Sequence, residues 1–448
     1  MSFSRWLACF AVVLSCTDLG LAAGKRTTDA GGALWPQWRG PARDGISSES
    51  GLLARWPEGG PPLVWTGSGL GEGYSGVSVA GGKIFTMGDR DGSQWIIAVS
   101  ATDGKEAWSA KVGPAWDESY SGSRCTPTID GEFAYALGTH GDLVCVRLAD
   151  GKPVWKRSLP NEFGGRVHSH WGFSESPLVD GPRLVCTPGG ADTAMLALNK
   201  RTGKEIWRAA IPDLGPNGGD GAGYSSIVVS NAGNTRQYVQ LMGRGVVGIA
   251  VRNGRFLWGY NKIANGTANI PTPLVHKDYV FCSTGYRTGA ALLKLRGGGE
   301  RIVADEVYFL DAKQLQNHHG QMVMVGDYIY CGHGHKAGAP TCLEWRTGKV
   351  QWRKDRGPGS GSAHVTYADG NVYFRYENGL MALVGASPKE YEEKGTFSVP
   401  DSGQPSWPAP VVAGGRLYLR EQDKLYCYDL RNRVDQVSLE QGAKARGR

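Results

Sequence analysis

Long apolar runs are scarce in these 448 residues, helical periodicity is nearly absent after residue 30, and no Cys-x-x-Cys pair occurs. The first absence argues against a transmembrane segment, since a spanning helix needs roughly 20 apolar residues. The second excludes a helical bundle, and the third leaves a thiolate zinc site without support. Clusters of like charge are also missing. The net charge of +7 is modest for this length and its basic residues are scattered, so a nucleic-acid partner is not expected. What the chain has in abundance is glycine, at 67 residues, with 15 tryptophans. Glycine spread evenly, without a collagen period, implies many tight turns and an all-β fold.

Arg5, the short apolar stretch Leu7 to Leu14 and the small residues Gly20, Ala22 and Ala23 read as a secretion signal over residues 1–23. Val13-Leu14-Ser15-Cys16 offers a second possibility, a lipid anchor on Cys16. Either way the protein is expected to be exported, to the periplasm or cell envelope. Residues 24–60 are read as an extension packing on the main domain, and 431–448 as a basic tail without fixed structure. Most cysteines sit in apolar strand contexts, where they act as small hydrophobes. Cys331 and Cys342, flanking a hairpin, are the one pair expected to form a disulfide.

Self-similarity is the strongest signal. A unit runs from Val79 through Ile96-Ile97-Ala98-Val99 to Asp103-Gly104-Lys105 and Trp108, and its pattern returns at Asp150-Gly151 with Trp155 and at Thr202-Gly203 with Trp207. It returns again at Asn253-Gly254 with Trp258 and at Thr347-Gly348 with Trp352. The tryptophan intervals are 47, 52, 51 and 94, the last being two steps, with Val307-Tyr308-Phe309 in the intervening place. Each turn glycine suits a tight hairpin between the third and fourth strands of a sheet. Such a sheet cannot bury both faces alone, so neighbouring sheets must stack as blades around an axis. The tryptophan then reads as apolar cement between blades. The last unit stops after its third strand, near Leu430, and Leu63-Val64-Trp65 carries a fourth-strand pattern that would complete it. Residues 61–430 thus make an eight-bladed β-propeller of four-stranded antiparallel blades, at about 46 residues per blade.

These turns resemble the repeats of pyrroloquinoline-quinone (PQQ) dehydrogenases, and are similar to those of the propeller lipoprotein of the outer-membrane barrel-assembly machinery. Trp35-Pro36-Gln37-Trp38-Arg39-Gly40-Pro41, with Asp44-Gly45 and Leu52-Leu53-Ala54-Arg55-Trp56-Pro57, resembles the opening of exported PQQ-like propellers of Planctomycetes. The resemblance implies a fold, and it is shared by enzymes and non-enzymes. A PQQ enzyme would need calcium with an acidic ligand in a Gly-Gly-Ala-Glu-like stretch. Gly189-Gly190-Ala191-Asp192 matches that stretch, with Asp192 as the metal candidate. The vicinal Cys-Cys pair of many alcohol-oxidising members and a Cys-x-x-Cys-His haem site are missing.

Function is expected where the repeat breaks, in the loops joining one blade to the next. These carry Tyr74, Tyr120, Arg124, His168, His170, Trp171, Glu175, Tyr224, Asn269, His318, His319, His364 and Trp407. Converging donors and aromatic faces around one axial mouth suit a protein or glycan ligand. The same residues equally suit loops that pack and satisfy their own backbone. His168-x-His170 and His333-x-His335 are spaced as possible metal pairs, and Glu175 or Asp192 is a possible partner for a histidine acid or base. The expectation is a monomeric binding or assembly scaffold without cofactor. The alternatives are a PQQ- and calcium-dependent alcohol or sugar dehydrogenase, and a lyase or hydrolase using the His and Tyr residues of the mouth.

Overall fold

A computed structural model of the chain describes residues 34–299 and 301–432. The expected secretion signal, the alternative anchor position Cys16 and nearly all of the expected basic tail fall outside these residues. The described residues form eight four-stranded antiparallel sheets, each in simple meander order. Blades 1 to 7 span 78–114, 128–158, 178–209, 228–260, 274–311, 322–353 and 363–398. Blade 8 takes three strands from 411–429, and Leu63–Gly67 is its fourth, pairing antiparallel with Lys424–Asp429 so that Trp65 faces Cys427. The ring is therefore closed by pairing its first strand with its last, which removes its open edges.

The recurring tryptophan explains how blades hold together. Trp65, Trp108, Trp155, Trp207 and Trp352 each donate the indole N–H to a backbone carbonyl of the following blade, over 2.8–3.2 Å. Four of these rings lie on the next blade's turn glycine. A Cβ added at Gly104, Gly151, Gly203 or Gly254 would sit 2.4–2.8 Å from the ring, and each glycine has φ near +70°. The turn glycine is thus required twice, by its left-handed backbone and by the ring above it. In blade 5 Tyr308 takes the tryptophan's place, donating its hydroxyl to Trp345 O at 2.6 Å and covering Gly348.

At the closure, buried arginines supplement apolar packing. Arg375 of blade 7 reaches Pro408 O and pairs with Glu421 of blade 8 at 2.8 Å, both side chains almost wholly buried. Arg420 of blade 8 donates to Thr86 Oγ1 and Met87 O of blade 1. Burial lowers Arg420 to about 10, so it stays charged at neutral pH.

The expected Cys331–Cys342 disulfide is absent, and all seven described cysteines are buried free thiols. The hairpin register gives the reason. Cys331 lies opposite Thr341, and Cys342 opposite Tyr330, so the two thiols project to opposite faces of the sheet. Cys331 joins the core shared with blade 5, and Cys342 the core shared with blade 7.

Candidate functional site

Strand direction decides which loops meet. The first strand of each blade starts at the inter-blade loop and runs to the opposite end, the second returns, and the antiparallel meander repeats this. Inter-blade loops and the turns between second and third strands therefore share one end of the propeller. The repeat's Gly turns lie at the other.

The channel between the blades is blocked from that other end by the segment Trp35 to Ile46. It enters beside Val79, with which Trp35 forms a bridge, and leaves beside Tyr367, with which Ile46 forms another. Between them it touches blades around the ring. Arg43 donates to Ser176 O at 2.6 Å and Pro177 O at 3.1 Å, ahead of blade 3, and Arg39 donates to Met322 O of blade 6 and to Asp44 O. The Trp-Pro-Gln-Trp-Arg-Gly stretch now has a physical account. Gly40, at φ +83°, lies against the Trp35 ring, and a Cβ at Gly45, at φ +78°, would strike the Arg39 guanidinium at 2.8 Å. Burial lowers Arg39 and Arg43 to about 10. Trp38 extends from this plug towards the loop end, donating to Thr272 Oγ1 at 3.4 Å.

Above the plug lies a blind cavity of about 410 Å³, with Trp38 among its lining residues. Its walls are rings. Trp407 stands 4.8 Å from both Tyr74 and Tyr120 and stacks on His319 at 4.3 Å. His318 lies 4.1 Å from His319 and 4.3 Å from His335, and Tyr286 meets both His318 and His335 edge-on or tilted, at 4.9 and 4.7 Å. Trp171 and Tyr224 form the far wall, 5.9 Å apart. Four lining residues, Tyr120, Gln321, Tyr286 and Lys336, hold φ between 54° and 58° without being glycine. Such strain concentrates where a binding surface fixes a side chain's direction.

Electrostatically the cavity is positive. Arg124 and Lys336 line it, against one lining carboxylate, Glu377, whose Oε1 accepts the Trp407 indole N–H at 2.9 Å. Arg124 is held by Gly122 O and Tyr120 O, and burial lowers it to about 10. Burial, reinforced by the neighbouring imidazoles and Lys336, drives His318 down to about 2 and His319 to about 3. Tyr74 and Tyr286 rise to about 12, again mainly by burial. At neutral pH the imidazoles of His318 and His319 are therefore neutral, and the phenols of Tyr74 and Tyr286 keep their protons.

The sequence profile of the family described as outer membrane protein assembly factor BamB matches residues 92–354. The chain belongs to this family. A BamB of Shewanella oneidensis is 23% identical over 300 residues, covering 62% of this chain and 68% of that protein. The solved BamB of Moraxella catarrhalis superposes at a TM-score of 0.51 and 11% identity, over 77% of this chain and 94% of that one. A quinohemoprotein alcohol dehydrogenase from Comamonas testosteroni superposes at 0.61 and 13% identity, over 88% and 80%. At these identities the likeness to solved structures is one of fold.

Within this family member, nine residues singled out from sequence line the cavity: Tyr74, Tyr120, Arg124, Trp171, Tyr224, His318, His319, His364 and Trp407. Four do not. His168 Nε2 lies 3.1 Å from Asn265 O and serves the neighbouring loop. His170 is exposed, tilted against Trp171 at 4.1 Å, and does not line the cavity. Asn269 is buried, donating to Met242 O and Gly243 O. Glu175 is buried beneath the cavity, accepting Thr187 N at 2.7 Å and Thr187 Oγ1 at 3.2 Å, and burial raises it to about 8 despite Arg43 nearby. It partners no histidine. Nor do His333 and His335 converge, since His333 Nδ1 accepts Gln316 N. Sequence reading passed over Trp38 and Glu377, passed over Tyr286, and gave His335 only a metal role. Tyr286, His335 and Glu377 lie in the turns between second and third strands, and strand direction alone would have placed those turns at this end.

The donor set does not fit PQQ with calcium. Asp192 is exposed and lines a separate hollow with Glu162, Arg166 and Arg208, away from the axial rings. Calcium requires six to eight oxygen ligands. The cavity offers Glu377, already engaged, among imidazoles and cations. Among the described residues no group of three or more His, Cys, Asp or Glu side chains is arranged to hold a metal.

Proposed function

We propose that this protein is an exported, cell-envelope binding propeller whose blind axial cavity holds a saccharide. The observation that carries this reading is the cavity's wall. Aromatic rings at several inclinations surround a space of about 410 Å³, with tyrosine hydroxyls at their edges. Pyranose rings offer C–H faces to stack on such walls and hydroxyls for their polar edges, and the volume suits a small ligand. The plug supports it too, since a closed floor suits a ligand that is held and not passed through. The relatives' name speaks of outer membrane protein assembly, and a scaffold of that kind would present the same loop end to a protein partner.

Calorimetric titration of the protein with trisaccharides tests the reading. Saturable binding is expected, weakened about tenfold or more by Trp407→Ala with little change in melting temperature. Absence of binding to every saccharide, with an intact melting transition, would overturn it.

A further inference from the structure

We infer that the saccharide is acidic, with an anionic group of its ring seated against His318, His335 and Lys336. This rests on the saccharide reading above and adds the ligand's charge and orientation. Three imidazoles meet here within 4.1–4.3 Å, and Lys336 makes no ion pair among the described residues. His318 is 2% exposed, with Nδ1 2.8 Å from Ser362 Oγ, yet its Nε2 has no partner although the residue lines the cavity. A buried polar nitrogen without a partner is costly unless a ligand or water completes it. Tyr286 and Lys336, both held at positive φ, are aimed at the same corner by strained backbone.

Charge gives the sign. The groups acting on His318 are His319, His335 and Lys336, and those acting on His319 are His335 and Lys336. His335 feels Lys336 and Arg287 against Glu377, and His364 feels Arg39, Arg375 and His319. Only Glu377 is acidic among them, and it accepts the Trp407 indole. His335, the exposed imidazole of the corner, is lowered by burial and by Lys336 and Arg287, and an anion seated beside it supplies the missing opposite charge and favours its protonated form. Binding should therefore be accompanied by proton uptake. A peptide carboxylate offers the same charge but no pyranose face for the ringed walls.

The test is calorimetric titration near pH 6.5, in MES and in imidazole buffer, with trigalacturonate, its methyl ester, a sulfated chondroitin disaccharide and cellotriose. The expected result is that the acidic probes bind about tenfold or more tighter than cellotriose or the ester. Their apparent enthalpies should differ between buffers with the sign of proton uptake. The chondroitin disaccharide carries a carboxylate beside its sulfate, so its desulfated form is titrated with it, and loss of affinity on desulfation assigns the corner to sulfate. Lys336→Gln, at an exposed position, should weaken the acidic probes about tenfold while sparing cellotriose, and His335→Gln should abolish the buffer dependence. Equal binding of the ester or cellotriose, without proton uptake, overturns the acidic inference and leaves the saccharide reading standing. Failure of all saccharides overturns both, as does tighter binding of an acidic peptide. Binding abolished by EDTA overturns the proton-linked account in favour of a metal.

Discussion

The two ends of this propeller follow opposite rules. At the turn end, five tryptophans make the same hydrogen bond to the next blade and four cover the same left-handed glycine. At the loop end the cavity wall follows no common rule: four residues ahead of the first strand stand Tyr74 and Tyr224 in blades 1 and 4, but Arg124 and His318 in blades 2 and 6. Trp171, Tyr224, His318 and Trp407 come from four dissimilar loops, ahead of blades 3, 4, 6 and 8, and His335 and Glu377 from turns. Repetition serves packing, where each blade meets an equivalent neighbour. A ligand has no eightfold symmetry, so its site must break the repeat. Substitutions at the turn end should therefore cost stability, and those at the loop end should cost binding.

The largest effect is expected for Trp207→Ala. The ring is buried, donates to Val251 O and covers Gly254, so truncation leaves a cavity and an orphaned carbonyl at once. A loss of about 3–5 kcal/mol is expected in denaturant unfolding, if the protein unfolds in a single transition. Gly254→Val should cost a comparable amount, since its side chain would need φ +72° and would start 2.4 Å from the ring. Either variant, once folded, should bind ligand normally. A selective loss of binding would break the division between the ends.

The closure is the next most sensitive place. Glu421→Gln leaves Arg375 buried without a counter-charge and should cost about 3–5 kcal/mol, near the upper end only if water stays out. Chemical unfolding followed by tryptophan fluorescence would measure it. A loss below about 1 kcal/mol would mean that strand pairing through Leu63–Gly67 carries the closure alone.

How much of this was legible beforehand follows from the same division. The blades, their number and the closing role of Leu63 to Trp65 were written in a repeat, so each could be checked against its neighbours. Even the degenerate fifth unit held its place, with Tyr308 doing the tryptophan's work. The cavity was readable only in part. Inter-blade loops stood out because they interrupt the pattern, which brought Tyr120, His318 and Trp407 into view. Glu175 and Asn269 stood out for the same reason, yet both turn inward to satisfy backbone or neighbouring hydroxyl groups. Trp38 could not be placed, because nothing local shows that Trp35 to Ile46 folds into the channel. The Cys331–Cys342 expectation failed on register, where adjacent ladder positions face opposite sides of a sheet.

The histidine corner predicts a pH dependence of stability. His318 and His319 are depressed from 6.5 to about 2 and 3 by burial and their like-charged neighbours. Between those values and 6.5 the unfolded chain binds more protons than the folded one, so stability is full above about pH 6.5 and falls as pH is lowered. Each imidazole contributes at most about 1.4 kcal/mol per pH unit across that window. Melting temperatures between pH 7 and 5 should fall, and less steeply in His318→Gln with His319→Gln. An unchanged slope would show that these imidazoles titrate alike in the folded and the unfolded chain.

The smallest effect on stability, and the sharpest contrast with Trp207, is expected for Tyr120→Gly. Tyr120 is 41% exposed and sits at φ +58°, a backbone conformation that glycine adopts freely. Losing the ring removes its contacts with Tyr74 and Trp407, at 6.5 and 4.8 Å, while the relieved backbone offsets part of that loss. Its carbonyl still accepts from Arg124, so the loop keeps its anchor. The net change should stay within about 0.5 kcal/mol. Saccharide affinity should nevertheless drop about tenfold, because the rim loses an exposed stacking face. If stability fell by several kcal/mol instead, Tyr120 would belong with the cement of the turn end, and its strained backbone would serve packing and not ligand capture.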